Sequence, residues 1–368
     1  MNSFTFTSES VCAGHPDKIC DQVSDAIVDA ILQQDPFGRV AVETVAAKNR
    51  LIIAGEVSTT AVVNYEKIAR DLIKSLGYLD PEYGFSYLVP IDIYIHEQSA
   101  EIACGVKKKG AGDQGMMFGF ACKETENLMP LPISLAHALT QGIDKARETK
   151  SIPYLRPDGK SQVTVAYQNN KPTRVTSVVL AVPHDENVSL DDVKKELYVK
   201  VVSPVLHTYG YSITEDKLIV NGTGIWHRGG PASDTGLTGR KIVVDTYGGY
   251  SRVGGGAFSG KDPTKVDRSG AYAARFLAKN IVAAGLADKV EVRLAYFIGG
   301  RKPIMQEVET FGTEKTSPRC IRDFMLNLLD TSVEGILEGL NLQRPIYLPT
   351  ATYGHFGRDN FTWEKVIK

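Results

Sequence analysis

The stretch GGGAFSGKDPTKVDRSGAYAARF, residues 254–276, joins a run of glycines to a strongly helical segment. Lys261, Asp262, Lys265 and Asp267 lie where the two parts meet. Glycine loses more backbone freedom on folding than any other residue, so such a dense cluster needs a reason. Glycine N–H groups and a helix N-terminus can close on phosphate oxygens, and the lysines add positive charge. The stretch therefore indicates a polyphosphate site at the start of a helix.

The same stretch matches a phosphate-binding P-loop only in part. Gly255, Gly260 and Lys261 have the P-loop spacing, but Asp262 stands where the motif needs a serine or threonine for Mg²⁺. The apolar run KIVVDTY, residues 241–247, is interpreted as a strand upstream of the motif. An ATP-dependent kinase that uses this segment is therefore one alternative function.

Length and composition limit the class of protein. A chain of 368 residues predicts two or three domains, and a net charge of −1 predicts no general attraction to nucleic acid or anionic membranes. The five cysteines are widely spaced and form no CxxC pair, so neither a disulfide framework nor a structural zinc site is indicated. The first residues do not have the pattern of a signal peptide, and no apolar run reaches membrane-spanning length. We expect a cytoplasmic protein.

One order of elements recurs three times along the chain. Each unit consists of a helix, two strands joined by a short turn, a second helix and, in the first two units, a further strand. The predicted helices and strands of the three units are 18–34, 39–46, 49–57, 64–77 and 87–95; 131–147, 161–168, 174–182, 189–202 and 216–220; and 269–285, 290–298, 304–311 and 317–329. The sequence thus predicts three similar α+β domains, each a sheet covered by helices on one face.

Further glycines and cations stand outside these elements. GAGDQG at 110–115 and GGYSRVGGG at 248–256 have charged or carboxamide neighbours, and isolated cations occur at Lys160 and at Arg240-Lys241. In GHPDKICDQ, Asp17 could simply cap a helix after a turn at His15. No Ser/His/Asp group or obvious general base is visible, which suits chemistry that holds charge without removing a proton. The residues alone indicate an enzyme that uses ATP or a polyphosphate with Mg²⁺.

Four motifs together carry a resemblance that covers essentially the whole chain. GHPDK (14–18), GAGDQG (110–115), LTGRKIVVDTYGG (237–249) and GGGAFSGKD (254–262) resemble the S-adenosylmethionine synthetases, or methionine adenosyltransferases. The resemblance implies three pseudo-threefold domains, which we expect at residues 1–100, 110–227 and 228–368. It also implies a homodimer or homotetramer with active sites at the dimer interface.

The reaction that the resemblance implies explains the missing base. The neutral methionine sulfur attacks C5′ of ATP and has no proton to lose, and the tripolyphosphate is cleaved to phosphate and diphosphate. Two Mg²⁺ ions per site and one K⁺ per subunit are implied as cofactors, whereas neither nucleic acid nor a membrane is expected as a partner. A catalytically silent nucleotide-binding subunit is the second alternative. Its expected signature is the loss of a catalytic carboxylate or cation, yet all are present.

The resemblance also implies a role for individual residues. The catalytic residues are His15, Lys160, Arg240 and Lys261. ATP would be bound by His15, Asp158, Lys160, Trp226, Asp234, Arg240, Lys241, Ala257 and Lys261. Methionine would be bound by Glu56, Gln98, Asp113, Asp234 and Lys265. The metal ligands are Asp17 and Asp267 for Mg²⁺ and Glu43 for K⁺.

Two segments depart from the family pattern. Ile225-Trp226 stands where the family usually has Arg-Phe before the GGP turn, and Trp226 could replace the aromatic stacking on adenine. The segment 99–109, interpreted as a mobile active-site loop, is shorter than in many bacterial members. We therefore expect this chain to differ from its relatives in adenine binding and in the gating of the active site.

Overall fold

The computed structural model describes residues 3–97 and 110–367 and contains three β-sheets. Gln98 and the predicted loop at 99–109 lie outside the described residues. The strands are β1 (Ser3–Val11), β2 (Arg39–Ala47), β3 (Arg50–Ser58), β4 (Ile91–His96), β5 (Gly115–Cys122), β6 (Lys160–Gln168), β7 (Lys171–Ala181), β8 (Leu218–Val220), β9 (Gly236–Leu237), β10 (Lys289–Tyr296) and β11 (Met305–Glu309). The three predicted hairpins are confirmed, because β2–β3, β6–β7 and β10–β11 all pair antiparallel.

Strands are exchanged between the three units. The sheet orders are β4-β3-β2-β9, β1-β6-β7-β8 and β11-β10-β5. Strand β1 therefore completes the central sheet, β5 completes the third sheet and β9 extends the first. The first two sheets are mixed, with β4 and β8 parallel to their neighbours, whereas the described strands of the third are all antiparallel. The domain boundaries expected above stay a prediction, because each sheet combines strands from more than one of the expected domain ranges.

Helices cover one face of each sheet. They are α1 (Pro16–Leu32), α2 (Tyr65–Ser75), α3 (Leu131–Glu148), α4 (Leu190–Leu197), α5 (Ser203–Thr208), α6 (Ile242–Asp245), α7 (Val266–Ala283), α8 (Pro318–Leu328) and α9 (Val333–Gly339). A π-helical turn at Tyr198–Val202 joins α4 to α5. Helices α1 and α2 pack on the first sheet, α3 on the second and α7 on the third. Within the described residues, no helix combines the length and the hydropathy that a membrane span needs.

One predicted strand is wrong. The run KIVVDTY contains the short helix α6 instead of a strand. Its β-branched residues favour a strand locally, but Val244 and Asp245 are buried there, and Asp245 forms an ion pair with Lys18 of α1. Tertiary contacts thus override local propensity. Without the upstream strand, the segment at Gly255–Lys261 also lacks the strand–loop–helix context of a P-loop.

Two hydrophobic cores hold the chain together. One is continuous from α1 and the first sheet to α7 and the third sheet, and the other lies between the central sheet and α3, α4 and α5. Helix α7 packs so closely on β5 that a Cβ at Gly119 would lie 1.9 Å from the Ala274 carbonyl carbon.

Candidate active site

Helix α1 carries four aspartates at a spacing of four residues, so they share one face. Each accepts a hydrogen bond from one or two main-chain N–H groups of a segment that is distant in the sequence. The acceptors and donors are Asp17 with Leu237 (2.9 Å), Asp21 with Gly239 (2.8 Å), Asp25 with Gly260 (2.9 Å), and Asp29 with Tyr347 (2.9 Å) and Leu348 (2.8 Å). The helix therefore fixes the loops that carry Arg240, Lys241 and Lys261.

A first cluster of predicted residues surrounds the start of α1. It consists of His15, Asp17, Asp158, Lys160, Asp234, Arg240 and Lys241, whereas Trp226 has no contact with these residues in the described structure. Asp17 forms an ion pair with Lys241, and Arg240 Nε lies 3.9 Å from its other oxygen. Burial alone raises the pKa of Asp17, but the hydrogen bonds from Lys241 and the Leu237 N–H hold it below its usual range. Asp17 is therefore an ionised carboxylate among cations.

His15 is the N-cap of α1 and is buried as a neutral ring. Burial, followed by the charges of Lys241 and Lys160, lowers the pKa of His15 to about 3. Its Nδ1 accepts a hydrogen bond of 3.2 Å from the Asp17 N–H, and this assigns the ring proton to Nε2. His15 is thus a neutral hydrogen-bond donor in a cationic environment. The cap also explains why α1 begins at Pro16, two residues before the predicted start.

Asp158 connects the glycine turn at 229–230 to the cluster. Its carboxylate accepts hydrogen bonds of 2.7 Å from the N–H groups of Gly159 and Gly230. Burial raises the pKa of Asp158 to about 6, and nearby Asp234 adds to the rise while Lys160 opposes it. Just before this turn, Trp226 Nε1 donates to the Arg228 carbonyl at 2.7 Å, which fixes the orientation of the indole.

A second cluster lies beside the glycine stretch and β2. It consists of Glu43, Glu56, Ala257, Lys261, Lys265 and Asp267. Lys261 pairs with Asp267 on the first turn of α7 at 2.5 Å. A Cβ at Gly256 would lie 2.2 Å from the Asp267 Cγ, so only glycine lets the loop pass this carboxylate. This close approach explains the glycine at position 256.

Asp262, which replaces the P-loop serine or threonine, is a buried structural residue. Its carboxylate pairs with Lys265 and accepts hydrogen bonds from the N–H groups of Val40 (2.7 Å) and Thr264 (2.9 Å). Burial alone raises the pKa of Asp262, but Lys265 and these donors hold it below its usual range. Asp262 therefore orients Lys265 and connects the loop to β2.

Glu43 is exposed on the face of β2 that α1 does not cover, although the apolar run VAVETVA suggests a buried charge. Partial burial and the neighbouring Glu56 raise the pKa of Glu43, while Lys261 and Lys265 oppose the rise. Glu56 also lies 3.3 Å from His96, its register partner on β4. Two carboxylates on one open face are compatible with a bound cation.

The remaining predicted residues are less well connected. Asp113 is exposed, and its carboxylate accepts a hydrogen bond from the N–H of Gln114. Its GAGDQG segment pairs with the turn at 299–300, where a Cβ at Gly110 would meet the Gly299 carbonyl oxygen. Ala257 lies against Gly239, next to the first cluster. No hydrogen bond or ion pair among the described residues joins the two clusters.

The carboxylates fit Mg²⁺ only together with a phosphate ligand. Across residues 3–97 and 110–367, no three His, Cys, Asp or Glu side chains come together as a metal site. Asp17 and Asp267 are single carboxylates, each paired with a lysine. Mg²⁺ commonly takes one or two carboxylates and completes its shell with water and substrate phosphates. The donor set therefore suits ions that arrive with a nucleotide.

Sequence reasoning missed several buried charges that support the site. Lys18 pairs with Asp21 and Asp245, and Arg268 pairs with Asp25. The four-residue spacing of the aspartates in α1 was the available signal, because an acidic face on a helix with buried neighbours must have partners. Apart from Lys18, which is three residues from Asp21, their partners lie more than 200 residues away, and no local pattern identifies them.

Comparisons with known proteins agree with this architecture. The chain matches the N-terminal, central and C-terminal domains of S-adenosylmethionine synthetase at residues 3–100, 108–226 and 228–365. It is 50% identical over 374 residues to the S-adenosylmethionine synthase of Sulfurovum sp. (strain NBC37-1), covering 100% of this chain and 97% of the relative. The synthases of Mesoplasma florum and Clostridium tetani are each 49% identical, over 99% of this chain and 97% of theirs. The chain belongs to the S-adenosylmethionine synthetase family.

Proposed function

We propose that the chain makes S-adenosylmethionine from ATP and L-methionine, with the first and second clusters as the two parts of one catalytic site. S-adenosylmethionine forms when the methionine sulfur bonds to C5′ and the C5′–O bond breaks, so that tripolyphosphate leaves with the electron pair. The observation that carries the proposal is His15, a neutral donor surrounded by cations. Such a group can stabilise a leaving oxygen but is a poor base, which suits a nucleophile without a proton.

The cations of the first cluster would hold the triphosphate. A single cation about 4 Å from a phosphate charge contributes roughly 4 kcal/mol at an effective dielectric constant near 20. Lys160, Arg240 and Lys241 are therefore expected to stabilise the charge that builds up on the leaving group. Lys261 of the second cluster would act with them, and Trp226 would stack on the adenine.

The second cluster, together with residues outside it, would hold methionine and complete the metal sites. We assign the methionine carboxylate to Lys265 and its ammonium group to the acidic residues Glu56, Asp113 and Asp234, with Gln98 as a further ligand. Asp17 and Asp267 would hold Mg²⁺ and Glu43 would hold K⁺; these ions supply positive charge that offsets the phosphates. Cleavage of tripolyphosphate by water then gives phosphate and diphosphate.

A second copy of the chain is the proposed partner. The face of the first sheet opposite α1 bears Val45, Ile52 and Ala54, which are only half-buried, and exposed Tyr94. Glu43 and Glu56 lie on this same open face. Apolar sheet faces favour burial, so the face supports a homodimer or homotetramer that brings the first cluster of one subunit to the second cluster of another.

We also propose a cytoplasmic location. The four described cysteines, Cys12, Cys20, Cys122 and Cys320, are free thiols, and three of them are buried. Free thiols are typical of a reducing compartment. Fractionation of cells that express the chain, with an antibody against it, tests this location.

One incubation tests the reaction. The protein is mixed with ATP and methionine in the presence of Mg²⁺ and K⁺, and the products are separated. S-adenosylmethionine, diphosphate and phosphate in equal amounts are expected. Formation of ADP would support the kinase alternative, and no turnover at all would support the silent nucleotide-binding subunit.

A further inference from the structure

Glu291 is a buried carboxylate on β10 that grips the start of the glycine loop. Its side chain is 2% exposed, and each oxygen accepts two hydrogen bonds. Oε2 accepts from Ser251 Oγ (2.8 Å) and the Arg252 N–H (3.2 Å), while Oε1 accepts from the side chains of Arg252 (2.5 Å) and Arg293 (2.9 Å). Burial alone raises the pKa of Glu291, but these donors hold it below its usual range, so the carboxylate is ionised.

The far end of the same loop is held by a second buried carboxylate. Asp25 accepts a hydrogen bond from the Gly260 N–H at 2.9 Å, and Lys261 forms a β-bridge with Ala41. Near the far end, Phe258 packs against Tyr272, His355 and Phe356, whereas residues 253–257 are half-buried or exposed. A Cβ at Gly254 would lie 2.0 Å from the Met116 carbonyl oxygen, and Gly255 has a φ of +94°.

A glycine loop needs such anchors, because its backbone has many conformations to lose. Gly256 gives the loop the close approach to Asp267 that is described above, but the three glycines do not restrict the loop to that path. The contacts at Ser251 and Arg252 end one residue before the first of these glycines and are made to a strand of a sheet. An ionised acceptor makes these hydrogen bonds stronger than neutral ones.

We infer that Glu291 is a positioning residue that fixes the entry of the loop and so aligns Ala257 for ATP. The inference rests on the proposed function, since it assumes that Ala257 contacts the nucleotide. Glu291 itself touches no proposed substrate atom. Its removal should therefore act through the loop: the free protein would have a less ordered loop, and ATP binding would have to order it.

The test compares Glu291→Gln with Glu309→Gln in the full-length protein. Glu309 is the register partner of Glu291 on β11 and is half-buried; it lies 3.8 Å from Arg293, which also donates to Glu291, but it has no hydrogen bond or ion pair to the loop in the described structure. Limited trypsin digestion reports on the loop through cleavage after Arg252, and steady-state kinetics give KM for ATP and for methionine. Thermal unfolding of each variant is recorded on the same preparations.

For Glu291→Gln, we expect faster cleavage after Arg252 and about a tenfold rise in KM for ATP, the usual scale for one lost charged hydrogen bond. KM for methionine should change much less, and Glu309→Gln should behave like the wild type. Faster cleavage without a change in KM for ATP would overturn the positioning role. An equal rise in both KM values that follows the loss of thermal stability would also overturn it, since it indicates a general structural role.

A milder variant covers the case in which Glu291→Gln does not fold. Ser251→Ala removes one donor and keeps the charge of Glu291, so a smaller change in the same direction is expected. If Ser251→Ala has the cleavage rate and the kinetics of the wild type, the result would contradict the proposed anchoring of the loop by Glu291. If the wild-type protein makes no S-adenosylmethionine, the proposed function fails, whereas the trypsin comparison still decides whether Glu291 holds the loop.

Discussion

Asp25 of α1 and Arg268 of α7 form a fully buried bidentate ion pair, with nitrogen–oxygen distances of 2.7 and 2.8 Å. Asp25 also holds the Gly260 N–H, so one carboxylate joins two helices and the end of the glycine loop. The pair links the helix that presents the first cluster to the helix that presents Asp267. It therefore sets the framework on which the proposed site depends.

Asp25→Ala should lower the free energy of unfolding by about 3–5 kcal/mol, because it leaves Arg268 buried without a counter-charge. Urea denaturation followed by circular dichroism measures this loss. Asp71→Ala is the matched control, since Asp71 pairs with Lys67 on the exposed face of α2 and should cost less than about 1 kcal/mol. Equal losses in the two variants would show that the buried pair contributes no more to stability than an exposed pair.

Asp17→Asn and Asp267→Asn should each reduce turnover at least about tenfold and weaken the dependence on Mg²⁺. Each removes a charge from a proposed ligand of an ion that balances the leaving triphosphate. Turnover is measured as a function of Mg²⁺ concentration, with exposed Asp216→Asn as the control. A wild-type Mg²⁺ titration in either variant would contradict the metal assignment.

Glu43→Ala should reduce the stimulation of activity by K⁺ and leave the melting temperature unchanged. The residue is exposed and lies beside Glu56, so its removal leaves no buried group unpaired. Activity is compared in K⁺ and in tetramethylammonium at equal ionic strength. Undiminished K⁺ stimulation in the variant would assign the cation to another group.

Asp144→Asn should make stability less dependent on pH between about 4 and 7. Burial raises the pKa of Asp144 from 3.8 to about 6, so the folded state binds this proton more tightly than the unfolded state. Its contribution to stability is then present below about pH 4 and is lost as the pH rises through about 6. The shift corresponds to at most about 3 kcal/mol. Urea denaturation of both proteins across this range measures the difference, and parallel pH profiles would contradict it.

The local elements of the fold could be predicted, whereas their long-range partners could not. The alternation in 39–46 and 49–57 correctly predicts the β2–β3 hairpin, because a hairpin is formed by neighbouring residues. Strand β1 was missed as a strand, and its partner β6 begins at Lys160. Helix α6 was mistaken for a strand because its surroundings outweigh its β-branched residues.

The site residues divide in the same way. The glycines and lysines of residues 254–265 could be predicted to lie together at the start of a helix, because close backbone approach and positive charge leave a local signature; their role as a polyphosphate site stays a prediction. The anchors Asp25 and Glu291 could not be predicted, since each contacts a loop 39 or more residues away in the chain. Both residues act as buried charges, and the sequence indicates burial only indirectly, through the apolar residues around them.

His15 carries the central claim, because it should separate two reactions in one site. A donor to the oxygen that leaves C5′ stabilises charge in S-adenosylmethionine formation, whereas tripolyphosphate hydrolysis breaks a bond further out. His15→Ala should therefore slow synthesis by about 10²–10³. His15→Asn keeps a side-chain donor and should recover part of the loss.

The decisive measurement compares two rates in His15→Ala: the rate of S-adenosylmethionine formation and the rate of hydrolysis of added tripolyphosphate. Both rates and the melting temperature are measured on one preparation. The account predicts that synthesis falls at least tenfold more than hydrolysis while the protein stays folded. Equal losses in the two rates, together with a lower melting temperature, would contradict it and would leave His15 as a cap of α1 alone.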